Sequence, residues 1–531
     1  MKIKNFLIIV FILLVFTKVD YRLNEIFPGG SQDDSIYYYH VQTIVEDRDF
    51  DYTNQLNGNL KDAYIKSDGN PVPRQSFGSA ILASPFVALS NFITNIFDIN
   101  TYTSLNYFIY SITPIIFLIF SFRIIISLTP NFKNKNIFTF IIFLGSGITY
   151  YAFERFSMST VYEFFSFCLI IKFTDFIYKK EKPNTNYLFF LPILQFIFLM
   201  IRWNNYHIFL LPIVYVYFVL KSNFSIGRNK KFIVGNVAGV LLFLGHTKLI
   251  YGVITFLQST IYPQDGWVVY QRLEDYRNLN LFWGNIQELI QNFLVILFSQ
   301  EFGLLYFCPV VFLSFYYFWR TLSQKKYFQG LILFIYYIFP LIPVMLFESH
   351  GGSYGFRYLY TLIPLNIIFL YQDRKDKKYI FNAVILFSIF GSLSQLFFES
   401  TSFSTLSEGK IFNSFDSLVP YANPNYLLGV LKSFIAIEAY QKIIFTSFVG
   451  LLSVKIISLF TNPSEVLLTY FSLDSKINEY INNYENYSWS FVFLLTLIYV
   501  YFSYLIIEKS KKWISMKSSG MKTLKKDIMT N

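Results

Sequence analysis

Two adjacent carboxylates, Asp33 and Asp34, lie in the segment PGGSQDDSIYYYHVQTIVEDRDFDY. A carboxylate at a membrane surface can act as general base for a hydroxyl nucleophile, or orient one. Acids ahead of an apolar run also cap a helix and favour its dipole; taken alone, that account is the stronger. A second constellation runs Glu348-Ser349-His350-Gly351-Gly352-Ser353-Tyr354-Gly355-Phe356-Arg357. Its three glycines let backbone approach a ligand closely, and Arg357 follows them into an apolar stretch. A guanidinium there grips a phosphate through two parallel N–H bonds, which an ammonium does less well. Span-end arginines also snorkel to the interface, but the upstream glycines tip the reading towards phosphate.

Other candidates stay open between two accounts. Arg202 in MIRWNNYH, and Arg155, Met158, Tyr162 and Glu163 in ERFSMSTVYEFF, fit phosphate or sugar contacts and interface anchors equally well. Arg74 either pairs with a phosphate or snorkels. Asp47, Asp49 and Asp51 form overlapping Asp-x-Asp units, but a solvated helix end explains them better than a divalent cation, and no cofactor is expected. Trp267, Tyr270 and Trp283 offer rings to stack on a sugar or to cover lipid. The four His lack metal-ligand spacing, and Cys168 and Cys308 lie in apolar runs, so neither zinc nor a disulfide framework is suggested.

The elements that must hold these residues are membrane helices. Of 531 residues, 54% are hydrophobic and 15% charged, where a soluble chain carries about a quarter charged. That balance argues against disorder, a secreted disulfide scaffold and a soluble nucleic-acid binder. The N-terminus has a basic start and an apolar run from Phe6 to Phe16 without a small-x-small cleavage site, which reads as an uncleaved anchor. Further apolar stretches lie near 104–122, 137–153, 159–178, 187–201, 204–220, 232–250, 302–319, 328–347, 357–371, 379–398, 442–460 and 490–507, each close to the roughly 20 residues that cross a bilayer. Residues 77–97, rich in small residues and holding Pro85, are expected along the interface. The result is an all-α bundle of about 12–13 spans. Its outer loops are 20–103, 251–301 and 399–441, and residues 508–531 form a basic cytoplasmic tail.

Charge is polarised along this pattern. The segments 1–5, 123–136, 172–182, 221–231, 320–326, 372–378 and 508–531 hold 27 of the 44 Lys and Arg but 6 of the 33 acids. Lys and Arg mark the cytoplasmic side, so the net +11 divides into a basic inner face and an acidic outer one. Thirteen spans would put the basic tail outside; the segment 442–460, with Lys455 at its middle, is the one to doubt.

The order of pieces in the first loop resembles that of GT-C type membrane glycosyltransferases, whose pattern reads approximately Asp-Glu-x-x-Tyr, a helix, then an Asp-Gly-Asp-like ending. Asp33 matches the Asp, Asp34 stands where Glu is commoner, and Tyr37 matches the Tyr. Gln42-Thr43-Ile44-Val45 falls on the helix, and Asp47-Arg48-Asp49-Phe50-Asp51 matches the ending with Arg48 in place of Gly. Pro71-Val72-Pro73-Arg74-Gln75-Ser76-Phe77-Gly78 resembles the Pro/Gly-rich stretch that precedes a helix at the membrane face. Phe298, Ser299, Gly303, Leu304, Leu305 and Pro309 match a Phe-Ser-x-x-x-Gly-Leu-Leu-x-x-x-Pro segment of bacterial relatives, read here as structural. Gly351, Gly352, Gly355, Arg357 and Leu359 follow the Gly-Gly-x-x-x-Gly-Pro-Arg-x-Leu signature, with Phe356 at the Pro.

The resemblance covers about residues 1 to 360 and is nearest the bacterial protein-mannosyltransferase and aminoarabinose-transferase type. It implies a polyprenyl-phosphate sugar donor, a lipid, glycan or protein acceptor, and a site on the extracytoplasmic face of the cytoplasmic membrane. No Gly-rich nucleotide fingerprint is present, and no nucleic-acid partner is expected. In the implied inverting reaction Asp33, beside Asp34, is the base. Arg357, with Arg202 or Arg74, holds the leaving phosphate, and Tyr37, His350, Gly351, Gly352 and Gly355 line the substrate. Two other classes are compatible with many spans and outer loops. An envelope polysaccharide polymerase or ligase would carry large late loops rich in Arg and His. A lipid or polysaccharide transporter would show repeats and mid-membrane ionisable residues.

Overall fold

The computed structural model describes residues 32–56, 63–97, 102–153, 155–179, 185–222, 230–261, 308–346 and 357–397, with 290, 293–294, 296–297 and 304. All belong to one of the chain's two compact units, Tyr21–Ser453. The described residues are mostly helical, and three helices among them, Gly78–Ile96, Leu105–Leu128 and Lys230–Tyr251, are long and apolar enough to cross a membrane. The N-terminal anchor, the segments 442–460 and 490–507 and the tail lie outside the described residues.

The first described element of the first loop is α1 (Gln32–Gln42), which widens into a π-helical turn (Thr43–Asp47) and is followed by the short α2 (Thr53–Leu56). The turn ends at Arg48, in the left-handed region with φ 64°, its N–H bonded to the Thr43 carbonyl. That conformation costs a non-glycine residue about 1–2 kcal/mol. Next, β1 (Ala63–Ile65) and β2 (Pro71–Pro73) pair antiparallel with Ala63 opposite Pro73. This hairpin departs from the all-α expectation: prolines remove ladder donors and disguise a strand, and Pro71 and Pro73 flank Val72. The loop has its own core, in which Tyr52, Leu56, Ala63, Val72 and Phe77 pack against Met200, Trp203, Phe243 and Tyr251.

Helices α3 (Gly78–Phe97) and α4 (Tyr102–Leu128) follow. The stretch 137–153 is broken into α5 (Lys135–Gly145) and α6 (Ile148–Phe153) at Gly147, whose φ of 80° no helix continues through. Next come α7 (Thr160–Tyr178), α8 (Phe190–Leu199), α9 (Leu211–Val214) and α10 (Lys230–Tyr251). The last described helices are α11 (Pro309–Ser323), α12 (Tyr327–Leu346), α13 (Ile363–Asp373) and α14 (Lys378–Phe397). A 3-10 turn, Arg357–Leu362, leads into α13, whose first turn holds Pro364 where an amide proton is not needed.

Helix α7 is the centre of the unit. Fifteen of its 19 residues are buried, the signature of a helix enclosed on every side. It packs on α4, α6, α8, α9, α13 and the Arg357–Leu362 turn. Helix α10 is the opposite case: Ile233, Val234, Val237, Leu241 and Leu249 are exposed, while its other face lies on α8. Helix α3, expected along the interface, is a continuous 20-residue helix whose length equally allows a crossing. It starts where Gly78 donates to the Met200 carbonyl at 2.9 Å. A Cβ on Gly78 would lie 2.3 Å from the Ile201 nitrogen, so only glycine permits this approach.

Candidate functional site

Five charged side chains, from α1, α7 and three connecting turns, meet at one end of α7. Asp34, in the first turn of α1, is fully buried. Its Oδ2 accepts hydrogen bonds from Arg155 Nε at 3.2 Å and Nη2 at 3.1 Å, and its Oδ1 accepts one from Ser157. Arg155 is presented by the turn between α6 and α7, its own N–H bonded to the Tyr150 carbonyl. Glu163, one turn into α7, is 2% exposed and equally well supplied. Its Oε1 lies 3.2 Å from Arg202 Nε and accepts from Ser159 at 2.7 Å, and its Oε2 accepts from Asn205 at 3.0 Å. Arg202 also donates to Ser159 at 3.2 Å, whose hydroxyl is 3.5 Å from that of Tyr37. A buried ion pair survives only with such complete hydrogen bonding.

Arg357 is different. It is 6% exposed, and its Nη1 meets the thioether of Met158 at 3.0 Å, a weak acceptor. Its Nε has no hydrogen-bond partner, and among the described residues no carboxylate pairs with it. Tyr358 lies between two cations: its ring centroid is 4.6 Å from the Arg202 guanidinium carbon and 5.3 Å from that of Arg357. Arg202 Nη1 is also buried without a partner. Among the described residues the cluster therefore holds three guanidiniums and two carboxylates, with donors left over on Arg202 and Arg357. Nothing matches this chain: no protein-family model, no curated protein and no solved structure.

The turn that carries Arg357 also lines an apolar cavity of about 200 Å³. Leu359 and Leu362 of that turn close one side, and Val311, Phe315, Phe334 and Leu341 of α11 and α12 form much of the rest. The pairing of unsatisfied buried guanidinium with an adjacent apolar slot suits an anionic group on a greasy chain.

The other expected residues divide into three sets. Asp34, Tyr37, Arg202 and Arg357 come together as described. Asp34 is clamped by Arg155 and Ser157, which fits a carboxylate that positions its neighbours. Asp33 is the second residue of α1, and its side chain lies outside the described residues, as do His350, Gly351, Gly352 and Gly355, and Trp267, Tyr270 and Trp283. Arg74 directly follows β2 and is half-buried, and none of the described hydrogen bonds or ion pairs ties it to the cluster. Tyr162 turns away to hydrogen-bond Thr113 inside the bundle.

The Asp-x-Asp run is a surface turn. Asp47 accepts from Asn54 and Gln55, Asp49 from the Asp51 N–H, and Asp51 from Thr53. Ser157, Ser159, Asn205 and Tyr358 carry no motif and were legible only through their contacts. His40 lies in the first-loop core, its Nδ1 2.9 Å from the Tyr52 hydroxyl and its Nε2 3.1 Å from the Gln75 carbonyl. A carbonyl only accepts, so Nε2 bears the proton and Tyr52 donates to Nδ1. Burial pushes the imidazole down to about 4, against the Gln75 bond, which acts the other way.

Proposed function

We propose that this protein is a membrane glycosyltransferase of the GT-C type. It moves a sugar from a polyprenyl-phosphate donor to a lipid, glycan or protein acceptor at the outer face of the cytoplasmic membrane. The observation that carries the reading is Arg357, buried beside Arg202 and Tyr358 with donors unsatisfied and no described carboxylate to balance it. A phosphate supplies the missing charge and accepts from a guanidinium in parallel. The apolar slot beside the same turn is where an isoprenoid chain attached to that phosphate would run.

In this reaction Asp33 takes the proton from the acceptor hydroxyl as its oxygen bonds to the anomeric carbon. The bond from that carbon to the phosphate oxygen breaks with its electron pair, the configuration inverts, and polyprenyl phosphate leaves. Arg357 and Arg202 stabilise the charge that grows on the departing oxygen. Asp34, locked to Arg155 and Ser157, fixes the helix turn on which Asp33 sits, and Glu163 with Asn205 holds Arg202 in place.

The test is sugar transfer from radiolabelled polyprenyl-phosphate hexoses and pentoses by the full chain in proteoliposomes. Asp33→Asn should lower transfer at least about a hundredfold while the protein inserts and melts as before. Near-normal transfer by that variant would remove Asp33 as the base. Absence of transfer from the whole donor panel by wild-type protein that binds polyprenyl phosphate would point to a carrier of the lipid rather than a transferase.

A further inference from the structure

The first loop and α3 form an open trough, remote in chemistry from the arginine cluster. It measures about 710 Å³; Phe50, Ala88, Asn91, Phe92 and Asn95 are among its lining residues, with Arg48 as the one charged side chain. That volume is within the roughly 300–1,000 Å³ of ligand pockets. The trough continues the face of α3 on which Leu89, Phe92, Ile93 and Ile96 are exposed.

Two features separate it from an incidental groove. Arg48 is exposed and held at φ 64° at the end of the π-helical turn, where glycine or asparagine would sit without strain. The neighbouring acids, Asp47 and Asp49, are engaged by Asn54, Gln55 and the Asp51 N–H, and neither lines the trough. Arg48 is thus the one charged side chain lining an apolar trough, whose wall is α3, a helix long and apolar enough to cross a membrane; Asn95 lies along it, and Asn91 spends one amide proton on the Val45 carbonyl at 3.4 Å and keeps a second.

We infer that this trough binds an anionic phospholipid of the surrounding membrane, its phosphate on Arg48 and Asn91 or Asn95 and an acyl chain along α3. The site is separate from the donor site and does not depend on it. Binding there braces α3 against the turn that closes the first loop, so the lipid composition of the bilayer bears on how that loop is held.

The test is native mass spectrometry of the full chain in detergent, titrated with phosphatidylglycerol or with phosphatidylcholine. Wild type should retain phosphatidylglycerol in preference, and Arg48→Gly and Arg48→Asn should each reduce that preference about fivefold, the worth of one cation near a lipid phosphate. Both variants suit a left-handed position, so their melting temperatures should not fall and the loss is not one of folding. Ala88→Phe, which fills the trough, should weaken both lipids, and Arg357→Met should leave the preference intact. Equal retention of the two lipids by wild type, or an undiminished preference in both Arg48 variants, would overturn the inference.

Discussion

Arg202 and Arg357 share an aromatic ring and a degree of burial, yet their removal should have opposite effects. Arg202→Met strands Glu163 in the interior with two neutral donors, Ser159 and Asn205, and breaking a buried pair costs about 3–5 kcal/mol. Arg357→Met removes a buried charge that no described carboxylate offsets, so it should leave the melting temperature unchanged or raise it. It should also abolish any stabilisation by added polyprenyl phosphate. An equal drop in both variants would mean that an acid balances Arg357 and that no ligand is needed there. His40 yields a pH prediction. Its folded pKa, about 4, lies below the unfolded value near 6.5, so the unfolded chain binds the proton first. The stability is complete above pH 6.5 and is lost as pH falls from 6.5 towards 4. Between pH 7.5 and pH 5 wild type should lose about 2 kcal/mol more than His40→Gln does, read from unfolding curves at each pH.

At the scale of elements, the segment that presents Arg202 is fixed by its contact with the start of α3. Gly78→Ala would drive a methyl group into the Met200–Ile201 backbone, a clash with atoms that cannot rotate aside. It should cost about 1–3 kcal/mol and lower transfer through the displaced Arg202, measured by thermal melting and the proteoliposome assay. This contact also marks what the sequence could convey. Apolar length announced α4, α7, α10, α12 and α14 near their observed bounds, because burying a whole helix leaves a run of apolar residues. Breaks at Gly147 and before Pro364 were hidden inside apolar stretches that read as uniform, and the hairpin through Pro71 and Pro73 lay in a segment read only as Pro/Gly-rich. Arg357 and Arg202 were visible as charges in apolar surroundings. The roles of Ser157, Ser159 and Asn205 were not, since a hydroxyl or amide that completes a buried ion pair is chosen by its place in space and has no spacing to reveal it.

At the scale of the whole molecule, several of the described helices turn apolar side chains outward. Trp319 of α11 is 70% exposed, and Phe328, Leu331 and Ile342 of α12 and Leu386 of α14 are exposed with it, while Trp203 is buried in the first-loop core. In brominated-lipid vesicles, Trp319→Phe should lower the fraction of tryptophan emission that the lipid quenches, and Trp203→Phe should not. Quenching indifferent to Trp319 would remove that face from the lipid. The assembly of the charged cluster has a different kind of consequence. Asp34 and Arg155 are 121 residues apart in the chain, and Arg357 comes later still. At about 5–20 residues per second of synthesis, Asp34 waits on the order of 10 s for its arginine. A lone carboxylate stays ionised cheaply only in water, so during that interval the first loop must remain hydrated, and the dry cluster closes only once α6 and α7 have arrived. The order of translation is thereby built into this pair: Asp34 first and wet, Arg155 afterwards, water expelled last.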